Sequence, residues 1–185
     1  MEFVRAYHGR LSIEPPFRLD LTVAALRRLP TNRVDVYDGE RYLRAFSTGM
    51  GPVIWEVRQV DTELEVSLYG QVEEVEDYLK RLERMLGLRV ALQPFYTRAA
   101  AGPPSLLRLV ETFRGVKPPR TASLWETFVN TIPFQQLSLK SQGCGCPGGP
   151  PLRLPRRGRH RLLRSLGPYK GMLYYHLLLA RGVSV

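Results

Sequence analysis

The chain has 185 residues, 44% of them hydrophobic, and 27 Lys and Arg against 17 Asp and Glu give it a net charge of +10. That apolar share supports a packed core, at a length that suits one ordinary domain or two small ones. No run approaches the roughly 18 apolar residues of a membrane span, and Met1-Glu2-Phe3 is not the basic start of a secretory signal, so no membrane is expected as a partner and a cytoplasmic location is.

Residues 3–13 (FVRAYHGRLSI) alternate loosely and read as a first strand. After the rigid Pro15-Pro16 step, Leu19 to Leu29 reads as an amphipathic helix, with Asp20 in its first turn, Arg27-Arg28 in its last, and Pro30 as its stop. Three strand-like runs follow. Val34–Gly39 leads into Glu40–Gly49 across Asp38-Gly39, a strong hairpin signal. The third run, residues 52–70, alternates in Val53, Trp55 and Val57 and again in Leu64, Val66 and Leu68. Val72 to Leu86 then places Val75, Tyr78, Leu79, Leu82 and Met85 on one helical face, and Gly87 ends it. The expected fold class is α+β, with an antiparallel sheet carrying helices on one side over residues 1–97.

Arg98 to Gly102 with Pro103-Pro104 reads as a short hinge, and Ser105 to Gly115 as a connecting helix with Leu106, Leu109, Val110 and Phe113 on its apolar side. The central stretch comes next. Gly115 to Leu139 begins with Pro118-Pro119, and Ser123 with Glu126 three residues on is a capping-box pattern. An amphipathic helix carrying Leu124, Trp125, Phe128, Val129 and Ile132 follows and ends on Gln135-Gln136-Leu137. Periodicity alone reads this as a core helix with a glutamine-rich turn. Residues 98–142 form the second segment.

From Ser141 to Gly158 the chain holds five Gly and four Pro in eighteen residues, with no aromatic and no acid. Nothing there supports a helix or a strand interior, and residues 143–159 are set apart as an irregular basic segment. Cys144 and Cys146 are half of a four-ligand zinc site; His160 is a candidate third ligand and no fourth is evident, so no metal is expected. Helical periodicity returns over residues 160–185: Leu162-Leu163, the turn Ser165-Leu166-Gly167, then a helix with Met172, Leu173, Tyr175, His176, Leu177 and Leu179. His8 and His176, among apolar neighbours, read as structural residues.

The charge is unevenly divided. Residues 1–95 hold 13 basic and 15 acidic side chains, whereas residues 96–185 hold 14 basic and two acidic, Glu111 and Glu126. Such a half suits a polyanion, and nucleic acid is the default partner; a solubilising or disordered basic tail is the alternative.

The run PPR…SLWE.FV..I..QQLS resembles the opening of the catalytic domain in helix-hairpin-helix DNA glycosylases, specifically the AlkA-type DNA-3-methyladenine glycosylase II family. PPFRLDLTVAALRRLP and DGERYLRAF are similar to the start of that family's N-terminal layer, which is like half of a TATA-binding protein. Ser165-Leu166-Gly167 resembles its Gly-apolar-Gly hairpin turn, with the first glycine replaced. The middle segment does not match; a linker, or a frameshifted or deleted stretch in a truncated chain, would account for it.

The resemblance implies an α+β layer followed by an incomplete all-α helix-hairpin-helix domain. It further implies a base-excision repair N-glycosylase of the alkylated-base type: a monofunctional hydrolase without cofactor, monomeric, nucleoid-associated, acting on double-stranded DNA containing alkylated bases. By position, Gln136 would probe the vacated space in the duplex with Gln135 and Leu137 beside it. Trp125 and Tyr169 would line the base pocket, and Ser165, Gly167 and Lys170 would hold a phosphate. The residue a strand-nicking enzyme would need as lysine is Tyr169. No Asp or Glu follows Glu126, so the family's catalytic aspartate has no counterpart and the chain is expected to be inactive. The alternatives are a non-catalytic basic DNA-binding remnant and an interaction module.

Overall fold

The computed structural model describes residues 4–27, 32–127 and 156–180, with the backbone alone for 156–160. Five strands, β1 (Arg5–Ser12), β2 (Asp35–Tyr37), β3 (Arg41–Thr48), β4 (Gly51–Val60) and β5 (Glu63–Tyr69), form one antiparallel sheet in the order β1-β5-β4-β3-β2. The third expected run is thus a hairpin of two strands. Asp61, at φ 52°, makes the tight turn that pairs Val60 with Glu63, and asparagine and aspartate are the non-glycine residues that best tolerate this left-handed region. At the β2–β3 turn, Asp38 accepts hydrogen bonds from the Glu40 and Arg41 amides, and Gly39 supplies φ 102°.

Period-two patterning sends Val53, Trp55 and Val57 of β4 and Leu64, Val66 and Leu68 of β5 to one face, where all are fully buried. Each such side chain contributes about 1.5–3 kcal/mol of burial. Two helices cover this face: α1 (Leu19–Leu26) and α2 (Val75–Leu86), the latter through Leu82, Met85 and Leu86. Gly87 closes α2 in the left-handed conformation at φ 65°.

Helix α1 differs from its sequence reading. It is apolar nearly all round rather than amphipathic, because it serves two cores. Leu19, Val23 and Leu26 face the sheet. Leu21, Ala24 and Ala25, on the opposite side, enter a second core built by α3 (Gln93–Ala100), α4 (Pro104–Thr112), α5 (Arg156–Leu166) and α6 (Lys170–Ala180). The stretch from Arg98, expected as a hinge, instead completes α3, whose Phe95, Tyr96 and Ala99 are buried. Ala99 alone of the three alanines packs into the second core, and Ala100 and Ala101 face solvent.

A buried strap, residues 115–119, runs between the two cores. Gly115 donates its N–H to the Tyr96 hydroxyl at 2.9 Å, and its carbonyl accepts from the Arg18 N–H at 2.9 Å. With φ 96°, and an added Cβ only 3.1 Å from the Arg18 nitrogen, the position requires glycine. Lys117 is fully buried and donates from Nζ to the carbonyls of Glu14 and Val90. Burial holds its pKa down to about 8.

Candidate nucleic-acid interface

Helices α5 and α6 form a helical hairpin joined by a single 3₁₀ turn, Gly167–Tyr169. Leu162, Leu166, Met172, Leu173 and Leu179 are buried in the second core and fix both helices there. Leu166, the apolar middle residue of the turn sequence, is wholly inaccessible. Ser165 belongs to α5 and closes its Oγ onto the Leu162 carbonyl at 2.8 Å, so it has no need of glycine's backbone freedom. Gly167 does: its φ is 55°. The hairpin therefore tolerates serine in place of the first glycine and not the second.

Two cations adjoin the turn, Arg98 and Lys170. Lys170 opens α6, where the helix dipole's positive end disfavours an ammonium and favours an anion. Arg161, Arg164 and Lys170 are exposed, and neither α5 nor α6 has an acid in its first turn. Arg98, arriving from α3, donates from Nη1 to the Ser165 carbonyl at 3.1 Å and lies 5.7 Å over the Tyr169 ring. Tyr169 itself is half-buried.

The second hairpin helix is tied to the strap by the Tyr175 hydroxyl, which donates to the Pro119 carbonyl at 3.3 Å. Beyond the strap a helix begins at residue 124. Ser123 Oγ accepts from the Glu126 N–H at 3.1 Å, half of the expected capping box. The Glu126 carboxylate accepts instead from the Ala122 N–H at 3.0 Å and from Arg44. Leu124 and Trp125, expected on a buried face, are 77% and 76% exposed. The cap and the Arg44 contact turn Glu126 inward, leaving its two predecessors facing solvent.

Of the sequence-derived site residues, the structure brings Ser165, Gly167, Tyr169 and Lys170 together at one turn and leaves Trp125 solvent-exposed at the start of its helix. Gln135, Gln136, Leu137 and the two cysteines lie outside the described residues. Among the described residues no three His, Cys, Asp or Glu side chains converge to hold a metal, and no helix is long and apolar enough to cross a membrane. His8 has partners that its apolar sequence neighbours did not announce: Ser67 Oγ at 3.0 Å and the Glu65 carboxylate at 3.5 Å, both across the β1–β5 ladder. A cleft of about 310 Å³ beside α2, lined in part by Glu73, Glu74 and Asp77, is too acidic for a phosphate. Sequence reasoning missed Arg98, Arg44 and Lys117, whose partners are remote in sequence. An arginine at the head of an alanine run was the one available signal for Arg98.

An antiparallel α+β layer followed by packed helices, the last two forming a helical hairpin, is a fold this chain shares with solved DNA glycosylases. The 3-methyladenine DNA glycosylase from Archaeoglobus fulgidus is similar to this chain with a TM-score of 0.56 and 21% identity, over 72% of this chain and 46% of that one. MBOgg1, solved in complex with a low affinity DNA ligand, is similar with a TM-score of 0.51 and 12% identity, over 97% of this chain and 65% of that one. The chain thus spans less than two thirds of either. No protein-family model and no curated protein matches it.

Proposed function

We propose that the chain is a DNA-repair module of the alkylated-base glycosylase type, which grips duplex DNA through its basic helical half and is incomplete for base release. The observation that carries this reading is the turn at Gly167: a left-handed glycine next to a buried Leu166, with Arg98 against it and Lys170 directly after it. Cations and helix-terminal N–H groups at one turn suit a phosphate. Tyr169 and Trp125 are the aromatic residues to receive an everted, electron-poor base. Gln135, Gln136 and Leu137 would fill the gap it leaves. The module acts as a cytoplasmic, nucleoid-associated monomer without a cofactor.

The non-catalytic reading rests on one sequence fact: no Asp or Glu follows Glu126, and cleavage of the glycosidic bond needs a carboxylate beside the cation-like sugar. The experiment titrates the purified chain with a duplex carrying a tetrahydrofuran abasic-site analogue, at low and moderate salt, and incubates it with alkylated DNA. Binding that weakens about tenfold or more between 50 and 200 mM salt, without base release, is the expected result. Release of 3-methyladenine sinks the incompleteness; absence of binding at low salt leaves an interaction module.

A further inference from the structure

We propose that Arg98 is a positioning residue that sets the hairpin turn and the Tyr169 ring as a single unit, so that the grip on a phosphate and the wall of the base pocket are coupled. The proposal rests on the duplex-binding reading above and adds to it a residue from outside the hairpin. Three contacts carry it. Arg98 Nη1 donates to the Ser165 carbonyl at 3.1 Å, satisfying an acceptor in the last turn of α5 that has no partner within its own helix. The same nitrogen would lie 3.1 Å from a Cβ built on Gly167, so the guanidinium closes the side of the turn that glycine leaves open. Its central carbon lies 5.7 Å from the Tyr169 ring centroid, covering that ring.

Arg98 can set geometry because its own base is fixed. Phe95, Tyr96 and Ala99, on the same short helix, are buried in the second core. Arginine suits this task better than lysine, since a planar fork holds a carbonyl and a ring together where an ammonium holds one or the other. Among the described residues no carboxylate lies within 4.0 Å of Arg98 to draw it elsewhere. A base stacking on Tyr169 would therefore use the face that Arg98 leaves uncovered.

The test has a DNA-free arm and a DNA-bound arm. In the free protein, Arg98→Ala should shift the amide resonances of residues 165–170 and the Tyr169 ring signals while leaving the sheet's signals in place. An unchanged turn overturns the proposal whether or not DNA binds. On the tetrahydrofuran duplex, Tyr169→Leu should weaken binding about threefold or more in the native background and less than twofold in the Arg98→Ala background, as contacts within one unit are non-additive. Additive losses mean that Arg98 and Tyr169 act independently and overturn the coupling. Arg98→Lys should behave like Arg98→Ala; full recovery by lysine makes charge alone responsible and overturns the positioning role. If no variant binds duplex, the functional reading fails while the resonances still decide the positioning.

Discussion

Arg44 Nη2 donates to Glu126 Oε2 at 2.8 Å, joining strand β3 to the first turn of a helix 82 residues further along the chain. The other arm of the guanidinium, Nη1, donates to Asp35 Oδ1 at 2.7 Å, and the Tyr42 hydroxyl donates to the same oxygen at 2.7 Å. Glu126, one of two acids in the basic half, is thereby used to aim a helix start, and Trp125 with it.

The two ends of this network differ in burial, so they respond differently to mutation. Asp35 and Arg44 are nearly inaccessible, whereas Glu126 keeps about a quarter of its side chain exposed. Arg44→Met strands a buried carboxylate and should cost about 3–5 kcal/mol. Glu126→Gln keeps an acceptor for the Ala122 N–H and should cost about 1 kcal/mol. Urea denaturation of both variants checks this; equal losses contradict the burial argument.

Lys117 gives the protein a pH dependence of definite sign. Its pKa is about 8 in the fold, against 10.5 ordinarily. The unfolded chain therefore binds more protons between these values, and stability rises with pH across that window. The penalty, on the order of 3 kcal/mol, is present in full below pH 8 and fades towards 10.5. Lys117→Met removes the titration while keeping much of the volume. The stability of the native protein relative to Lys117→Met should increase from pH 7 to pH 10, measured as paired urea midpoints. A difference that is flat or falls defeats the assignment.

His176 works in the opposite pH range. Its Nδ1 lies 2.8 Å from the Met172 carbonyl and donates to it, while Nε2 is buried with no partner among the described residues. Burial lowers its pKa below the ordinary 6.5. Below 6.5 the unfolded chain takes up a proton that the fold resists, so stability falls on acidification. His176→Phe removes the orphaned nitrogen and stacks on Phe95, now 5.1 Å from the imidazole. The substitution should be neutral or stabilising by about 1 kcal/mol at pH 7 and should remove this part of the acid sensitivity. Thermal melts at pH 5 and pH 7 decide it.

Elements with a local pattern were legible in the sequence: the alternation in β4 and β5, the face and glycine stop of α2, the Asp38-Gly39 turn, and the helical hairpin. What failed was decided by tertiary partners. The alanines after Arg98 read as a hinge because propensity and periodicity say nothing about a core, completed much later in the chain, that buries Ala99. Helix α1 read as amphipathic because its second apolar side answers to a core assembled much later in the chain. Leu124 and Trp125 read as buried because Arg44's claim on Glu126 has no local signature.

Gly167 joins the fold to the proposed function. Its φ of 55° disfavours any side chain, and a Cβ there would lie 3.1 Å from Arg98 Nη1. Gly167→Ala should therefore cost about 1 kcal/mol of stability from the backbone alone. It should also displace Arg98 and weaken duplex binding beyond what partial unfolding explains. Ser165→Gly, at a position already helical, should leave binding within about twofold and lower stability by about 0.5–1 kcal/mol. Affinity for the tetrahydrofuran duplex, measured where both variants are fully folded, separates the two positions. Should Ser165→Gly tighten binding substantially, the first turn position would need glycine's freedom after all, and the account of why this hairpin accepts serine would be wrong.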